Sequence, residues 1–281
     1  MGEGRGTLES VTSSSASWVQ QRYRDPAVTA LAHTNETLDV LLSHHSVRTF
    51  TGDPIDNATI ETIVAAAQSA PTSSNLQAWS VIAVQDPARK KRLAALAANQ
   101  AFIADAAVFL VFVADLGRAR RLAAGHDAEL GGADYFDSTI LGAIDAALAA
   151  QNAVVAAESL GWGTVYVGAV RNAPDQISAE LGLAEQSIPV VGLAIGRAGD
   201  ETAGVKPRLP ISSVLHHESY DAQVADAAVP VYERRLAEYY ATQGHTASWT
   251  SSVLSRLRSG EAIGPRVTLK KSFESLGWKS R

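Results

Sequence analysis

The sequence predicts an α+β fold, and three observations lead to this prediction. Short continuous apolar runs at residues 79–84, 107–114 and 188–195 are typical of buried strands. A long alanine-rich segment at residues 140–162 is typical of a helix. The other helical patterns do not alternate regularly with the strands, which favours an α+β fold over a doubly wound parallel sheet.

The first elements are a helix at residues 35–42 and a second helix that Asp56 or Asn57 caps and that runs to Gln68. A loop with the sequence PTSSN then precedes the strand at 79–84. Pro87 opens the next helix, which we expect to reach Ala98.

The second half of the chain continues the mixture of helices and strands. Residues 163–170 predict a strand or an extended loop, and residues 173–183 a helix capped by Asn172. Three short helical patterns follow from Val231 onward. The first 34 residues are polar and rich in serine, so we expect a loose N-terminal extension there.

The alanine-rich helix has its large aliphatic residues on one side and alanine at most other positions. Because it is apolar on nearly all sides, we expect it to be buried on nearly all sides, as a core helix or as a core helix that also forms a subunit interface. A membrane span is rejected because four polar residues would lie in lipid. The large residues are Ile140, Ile144, Leu148 and Val155, and the polar ones are Asp145, Gln151, Asn152 and Glu158.

Composition excludes several classes of function. The chain has 24 Lys and Arg against 29 Asp and Glu, a formal net charge of -5, so it lacks the positive field of a non-specific nucleic-acid binder. It has no cysteine, which excludes disulfides, thiolate catalysis and cysteine-ligated metals. Redox chemistry would therefore need a bound cofactor. The N-terminal residues lack the apolar core of a signal peptide, so we expect a soluble cytoplasmic protein with no membrane partner.

Common catalytic motifs are absent from the sequence. GWGTVYVG does not match G-x-G-x-x-G, and neither a Walker-type phosphate loop nor a G-x-S-x-G elbow occurs. His216 and His217 are adjacent, so they do not share a helix face, and we interpret them as surface histidines and predict no metal site.

Two stretches have the residue types of an anion-binding site. In HHSVRTF, an extended backbone would project His44, Ser46 and Arg48 to the same side. In KPR, the proline stiffens the chain between Lys206 and Arg208, and arginine offers a two-point contact to phosphate oxygens. Each stretch alone fits a solvated loop, whereas together they could bind the two ends of one anionic ligand.

Four motifs in the same order make the sequence resemble the nitroreductase family of FMN enzymes. They are HHSVRTF, AAAQSAPTSSNLQAW at 65–79, AAQNAVVAAESLGWGTVYVGAVRN at 149–172 and VKPRLP at 205–210. The resemblance is strongest to the oxygen-insensitive NADPH nitroreductases and NADPH-flavin reductases, and it covers roughly residues 38–281.

The resemblance implies a nitroreductase-like fold with a central mixed or antiparallel sheet surrounded by helices, in an intertwined homodimer. Residues 35–281 would form the FMN-binding domain. The implied activity passes hydride from NADPH or NADH through flavin N5 to nitroaromatic, quinone or flavin acceptors, with no catalytic protein residue. Two alternatives stay open: an FMN-dependent dehydrogenase or oxidase of a biosynthetic pathway, and a non-catalytic FMN-binding module.

The resemblance also implies the FMN-binding residues. They are His44, His45, Ser46 and Arg48 in the first loop, Thr72, Ser73 and Ser74 at the isoalloxazine edge, Gln100 on the same ring, Tyr166, Val167, Gly168 and Ala169 beside the flavin, and Lys206 and Arg208 at the phosphate. Close relatives often have arginine at His45 and usually have glycine at Ala169. The alanine methyl at 169 would therefore narrow the approach to the flavin.

The sequence of the segment that would select the electron donor, which follows Tyr240, differs from that of the relatives. Gln243 stands where a relative would show an arginine that binds the 2′-phosphate of NADPH, and the next arginine is Arg256. A neutral amide cannot replace a charge-assisted contact, so we expect a weakened preference for NADPH and a competent reaction with NADH. Alternatively, Arg256, Arg258 or another basic residue reaches the same phosphate from a rearranged loop.

Overall fold

A computed structural model describes residues 6–25, 28, 31–200, 204–279 and 281, with the backbone alone for 6–14. The chain forms two compact units, one from Met1–His45 and Glu201–Ala262 and the other from Ser46–Asp200 and Ile263–Arg281. The described strands are β1 (Trp79–Val84), β2 (Val108–Asp115), β3 (Gly163–Val167) and β4 (Ser187–Gly196). The described helices are α1 (Gly6–Tyr23), α2 (Glu36–Ser43), α3 (Asn57–Gln68), α4 (Pro87–Leu96), α5 (Phe102–Asp105), α6 (Gly117–Ala124), α7 (Phe136–Ser159), α8 (Pro174–Leu181), α9 (Ala222–Ala227), α10 (Val229–Thr242), α11 (Trp249–Leu257) and α12 (Leu269–Ser275).

The four strands form one antiparallel sheet in the Ser46–Asp200 unit, in the order β1-β2-β4-β3. Every residue of β2 is buried, as expected of an apolar central strand. The predicted strands at 79–84, 107–114 and 188–195 are confirmed, and the strand that begins at 163 ends at Val167. The predicted α+β class is therefore confirmed.

Helix α7 packs against the sheet through small residues. Ala146, Ala149 and Ala150 are fully buried, and a Cβ on Gly142 would lie 3.0 Å from the Cβ of Ala114 in β2. Small side chains allow the axis of α7 to approach the strands closely. Helix α3, which belongs to the same unit, also packs against α7.

The large aliphatic side of α7 remains exposed, so the prediction of burial on nearly all sides is wrong for the single chain. Ile140, Ile144 and Leu148 are 42%, 50% and 40% exposed. The alanine side forms the closer contact with the sheet, which leaves the larger residues outside. We call these three residues the α7 stripe.

Within the described ranges, α7 is the one helix whose length and apolar composition would allow it to cross a membrane. Asp145 lies in it, is 1% exposed and accepts hydrogen bonds from main-chain N–H groups of the same unit. The alanine face is packed on the sheet, so on that face α7 has the surroundings of a core helix.

Side-chain caps begin several helices as expected. Asp56 accepts from the N–H of Thr59 at 2.6 Å and caps α3, while Pro87 stands in the first turn of α4. The predicted Asn172 cap is wrong. Asn172 ends the 3₁₀ turn Gly168–Asn172, and its side-chain oxygen accepts from Arg266 Nε at 2.8 Å, so it is not available to α8.

The other unit contains α1, α2 and α9–α11. The expectation of a loose extension is wrong for α1, whose Val19 and Ser15 are fully buried. Local composition could not indicate this because the contacts come from distant segments. Residues 1–5 of the expected extension, and 26, 27, 29 and 30, lie outside the described residues. The three helical patterns after Val231 are confirmed as α10, α11 and α12.

Candidate functional site

The first predicted loop runs beside the start of β3. Ser46 forms a parallel bridge with Thr164, and the N–H of Val47 donates to the Thr164 carbonyl at 2.9 Å. Val47 is buried over Gly163, where a Cβ would lie 2.8 Å from the Val47 side chain. Glycine at 163 thus permits this close approach. The structure brings Ser46 and the exposed Arg48 next to the strand that leads to Tyr166.

The predicted stretch beside the flavin is the end of β3 and the turn after it. The Tyr166 hydroxyl lies 3.3 Å from Gln151 Oε1 of α7, and partial desolvation of the hydroxyl raises the pKa of Tyr166, although the residue is 37% exposed. Ala169 is 5% exposed and belongs to the core under the sheet. Its methyl group therefore lies in the interior, which does not fit the expectation that Ala169 narrows the approach.

Two arginines that sequence reasoning missed flank Gly168. A Cβ built on Gly168 would lie 3.4 Å from Arg171 Nη2 and 3.6 Å from Arg266 Nη2. The Arg171 guanidinium also donates to the Val190 carbonyl, and burial lowers its pKa. Arg171 lies within the GAVRN segment of a recognised motif, whereas Arg266 lies about a hundred residues later in no motif.

The predicted donors Thr72, Ser73 and Ser74 lie in a loop with unusual backbone angles. Ser74, Asn75 and Gln77 have φ of 49°, 55° and 48°, in the left-handed region that non-glycine residues rarely adopt. This loop, residues 72–78, is called the left-handed loop below.

Asp145 fixes both ends of the left-handed loop and was missed as a functional residue. Its carboxylate accepts from the N–H of Ser73 at 3.1 Å and from the N–H of Ala78 at 3.0 Å. A buried carboxylate within an alanine-rich helix was the available signal, because such a group needs donors from another segment.

A groove of about 330 Å³ lies between the left-handed loop and α7. Thr72 and Ser73 line one side, and the α7 stripe lines the other. The groove therefore combines hydroxyl groups with an apolar wall, a combination that suits a flat ligand with polar edges.

Gln100 lies in the connection between α4 and α5, and α4 packs against the Gly168–Asn172 turn. Its main-chain N–H donates to the Ala94 carbonyl at 3.2 Å. The side-chain amide forms no hydrogen bond with any residue that the structure describes, so it can bind a ligand.

The other unit holds the remaining predicted residues. His44 is the C-cap of α2, and His45 Nδ1 lies 3.2 Å from the Ser43 carbonyl. Lys206 and Arg208 are exposed on either side of the buried Pro207. Lys206 Nζ lies 2.9 Å from the Tyr240 hydroxyl.

The chemistry of Lys206 and Arg208 fits a phosphate group. Neither side chain pairs with a carboxylate in the part of the chain that the structure describes. Two cations with no acidic partner match a phosphate dianion, to which arginine can donate two parallel hydrogen bonds. The donor set is therefore suited to the phosphate of FMN.

Among the described residues, no group of three or more His, Asp or Glu could hold a metal ion. His216 instead packs against Tyr220, with the ring centroids 4.6 Å apart.

Comparison with known proteins assigns most of the chain to the family that the four motifs resemble. Residues 41–197 match the Nitroreductase family, and residues 206–281 match its C-terminal domain. The FMN reductase (NADPH) of Bacillus subtilis (strain 168) is 37% identical over 252 residues, covering 87% of this chain and 98% of that protein. The oxygen-insensitive NADPH nitroreductase of Salmonella typhimurium is 39% identical over 248 residues, covering 87% and 99%. The structure of the NADPH:FMN oxidoreductase from Vibrio harveyi complexed with NAD+ has a TM-score of 0.78 and 34% identity, covering 88% of this chain and 100% of that chain. The chain therefore belongs to the nitroreductase family.

Proposed function

We infer that this chain is an FMN-dependent oxidoreductase that takes electrons from NADPH or NADH. The observation that carries this conclusion is membership of the nitroreductase family over both of its segments, with relatives named as NADPH-dependent flavin reductases and nitroreductases. The exposed cations of the KPR stretch support the cofactor, because they offer the donors that a phosphate dianion needs.

Lys206 and Arg208 are proposed to bind the FMN phosphate, together with His44, His45, Ser46 and Arg48 of the first loop. The hydroxyls of the left-handed loop, the Gln100 amide and the main chain of residues 166–169 are proposed to contact the ring. When bound, FMN supplies the hydride chemistry at its N5 atom. The protein binds and orients FMN and the substrates. The absence of a catalytic acid, base or nucleophile motif is therefore consistent with this function.

The acceptor is proposed to be a nitroaromatic, a quinone or a free flavin, in a cytoplasmic homodimer. The groove beside the left-handed loop supports flat acceptors because it pairs an apolar wall with hydroxyl groups. The α7 stripe supports the dimer, since a row of exposed isoleucine and leucine side chains is typical of an interface.

The cofactor assignment is tested on purified protein. We expect a yellow protein with one FMN per chain. Arg208→Ala should weaken FMN binding by about 1.5–3 kcal/mol, the contribution of a hydrogen bond to a charged group. Arg234→Ala is the matched control, because Arg234 is an exposed arginine of α10 outside the predicted stretches. Full FMN occupancy in the Arg48→Ala/Arg208→Ala double variant would contradict the assignment.

Two anaerobic measurements separate this function from its alternatives. Addition of NADPH or NADH should bleach the yellow protein, whereas a non-catalytic FMN-binding module would stay yellow. Rapid turnover of a generic quinone or nitrofuran should follow, whereas a dedicated biosynthetic dehydrogenase would leave such acceptors unreacted.

A further inference from the structure

Arg22 is a buried arginine in the last turn of α1, and it lies in none of the four motifs. It is 7% exposed, although arginine is almost never buried without hydrogen-bonding partners. It also lies outside both segments that match the Nitroreductase family, which begin at residues 41 and 206.

The contacts of Arg22 connect His44, at the start of the first predicted phosphate-binding stretch, with the KPR stretch, within one compact unit. Nη2 donates to the main-chain carbonyls of Leu42 at 2.8 Å and His44 at 2.6 Å. Nη1 donates to the Lys206 carbonyl at 3.0 Å. The carbonyl of Arg22 itself accepts from the N–H of Arg208 at 2.9 Å.

These contacts fix main-chain positions. The carbonyls of Leu42 and His44 lie at the end of α2, where helix carbonyls lack partners and where a cation is favoured by the helix dipole. The planar guanidinium can serve three carbonyls at once, which a lysine ammonium of different geometry cannot reproduce.

A fixed main chain at His44, Lys206 and Arg208 has a consequence for binding. Side chains that start from an ordered backbone lose less conformational entropy when they close on a ligand. The effect concerns the ligand group that these residues are proposed to contact, which is the phosphate.

We propose that Arg22 is a positioning residue for the FMN phosphate. It holds the main chain at His44 and in the KPR stretch in the conformation that binds phosphate. The inference rests on the proposed function, and it predicts that Arg22 discriminates FMN from riboflavin, which has the same ring system and no phosphate.

The test uses the full chain freed of flavin, with Arg22→Met and Arg22→Lys. Dissociation constants for FMN and for riboflavin are measured by quenching of flavin fluorescence. We expect Arg22→Met to weaken FMN at least about tenfold while riboflavin changes by less than about twofold. Arg22→Lys should show a smaller loss in the same direction, and it carries the test if the Met variant does not fold.

Asp25→Asn is the matched control. Asp25 pairs with Arg235 of α10 at 2.8 Å, so it also ties the segment after α1 to the same unit, but its ion pair does not involve the phosphate-binding stretches. We expect a lowered melting temperature with an unchanged ratio of FMN to riboflavin affinity.

Three results would overturn the inference. They are equal weakening of FMN and riboflavin by the Arg22 variants, unchanged FMN binding, or a loss of FMN preference in Asp25→Asn. If the wild-type chain binds FMN and the Arg22 variants bind it equally well, the positioning role alone fails. If the wild-type chain binds no FMN, the proposed function fails with it.

Discussion

Asp145 shows how one buried carboxylate can hold a loop, here the left-handed loop that is proposed to bind the flavin ring. Its two oxygens accept from the N–H groups of Ser73 and Ala78, on either side of the left-handed residues. Replacement by asparagine keeps the shape but puts an NH₂ group opposite one of these N–H donors. We expect Asp145→Asn to lower the free energy of unfolding by about 1–3 kcal/mol, the cost of a buried unsatisfied group.

Urea unfolding measures this effect, with Asp137→Asn as control because Asp137 is an exposed residue of the same helix. Equal unfolding midpoints for the two variants would show that Asp145 does not hold the loop.

Gln243 is the residue on which the expected preference between NADPH and NADH depends. It is the C-cap of α10, and its side-chain amide lies 3.4 Å from the Thr242 hydroxyl, while Arg256 donates to the Ala262 carbonyl. We expect Gln243→Arg to raise the ratio of kcat/KM for NADPH over NADH by roughly tenfold or more, because arginine restores a charge-assisted phosphate contact. The wild-type ratio should stay below about a hundred. A larger wild-type ratio would show that another basic residue binds the 2′-phosphate.

At the scale of elements, α7 has two faces with different tasks. The alanine face packs on the sheet, and the α7 stripe is exposed. We expect Ile144→Glu to convert the proposed dimer to a monomer, because a carboxylate buried in an apolar interface has no partner. Light scattering at micromolar concentration measures the mass.

Leu122→Glu is the control, since Leu122 of α6 is 65% exposed and lies outside the α7 stripe. A dimer that survives Ile144→Glu, or a wild-type monomer, would contradict the role of the α7 stripe.

The elements also show what the sequence could and could not predict. Strand β1 was predicted at its exact bounds, because its apolar run is bounded by turn residues. The α1 helix was missed because its burial depends on partners far along the chain, such as the carbonyl of Lys206. The faces of α7 were misjudged because periodicity identifies an apolar face without saying whether the same chain covers it.

The same limit applies to the candidate site. The motifs predicted the stretches at 44–48 and 206–208, but Arg22, Asp145 and the arginines beside Gly168 act through tertiary contacts that no local pattern encodes.

At the scale of the whole molecule, Asp134 connects distant segments of its unit. Hydrogen bonds from Lys279 at 3.0 Å and Arg120 at 2.5 Å hold the pKa of Asp134 below its ordinary value of 3.8. A carboxyl with a lowered pKa stabilises the folded chain above its ordinary pKa, and this contribution disappears as the pH falls through the pKa of the folded state.

We therefore expect Asp134→Asn to unfold at lower urea concentration than the wild type at pH 7, with the difference shrinking below pH 4. Glu129→Gln, at an exposed neighbouring position, should show no such pH dependence. A difference that stays constant from pH 7 to pH 3 would show that the charge of Asp134 is not its source.

The conformation of the left-handed loop affects both the thermal stability of the chain and the proposed binding of the flavin ring. Ser74, Asn75 and Gln77 each adopt angles that glycine adopts without cost, and a non-glycine residue there costs of order 1 kcal/mol. Glycine at 77 would relieve that cost but would also let the loop explore more conformations. Selection for thermal stability would therefore favour glycine substitutions in the left-handed loop. The expected cost of such substitutions is a smaller fraction of chains that retain their flavin.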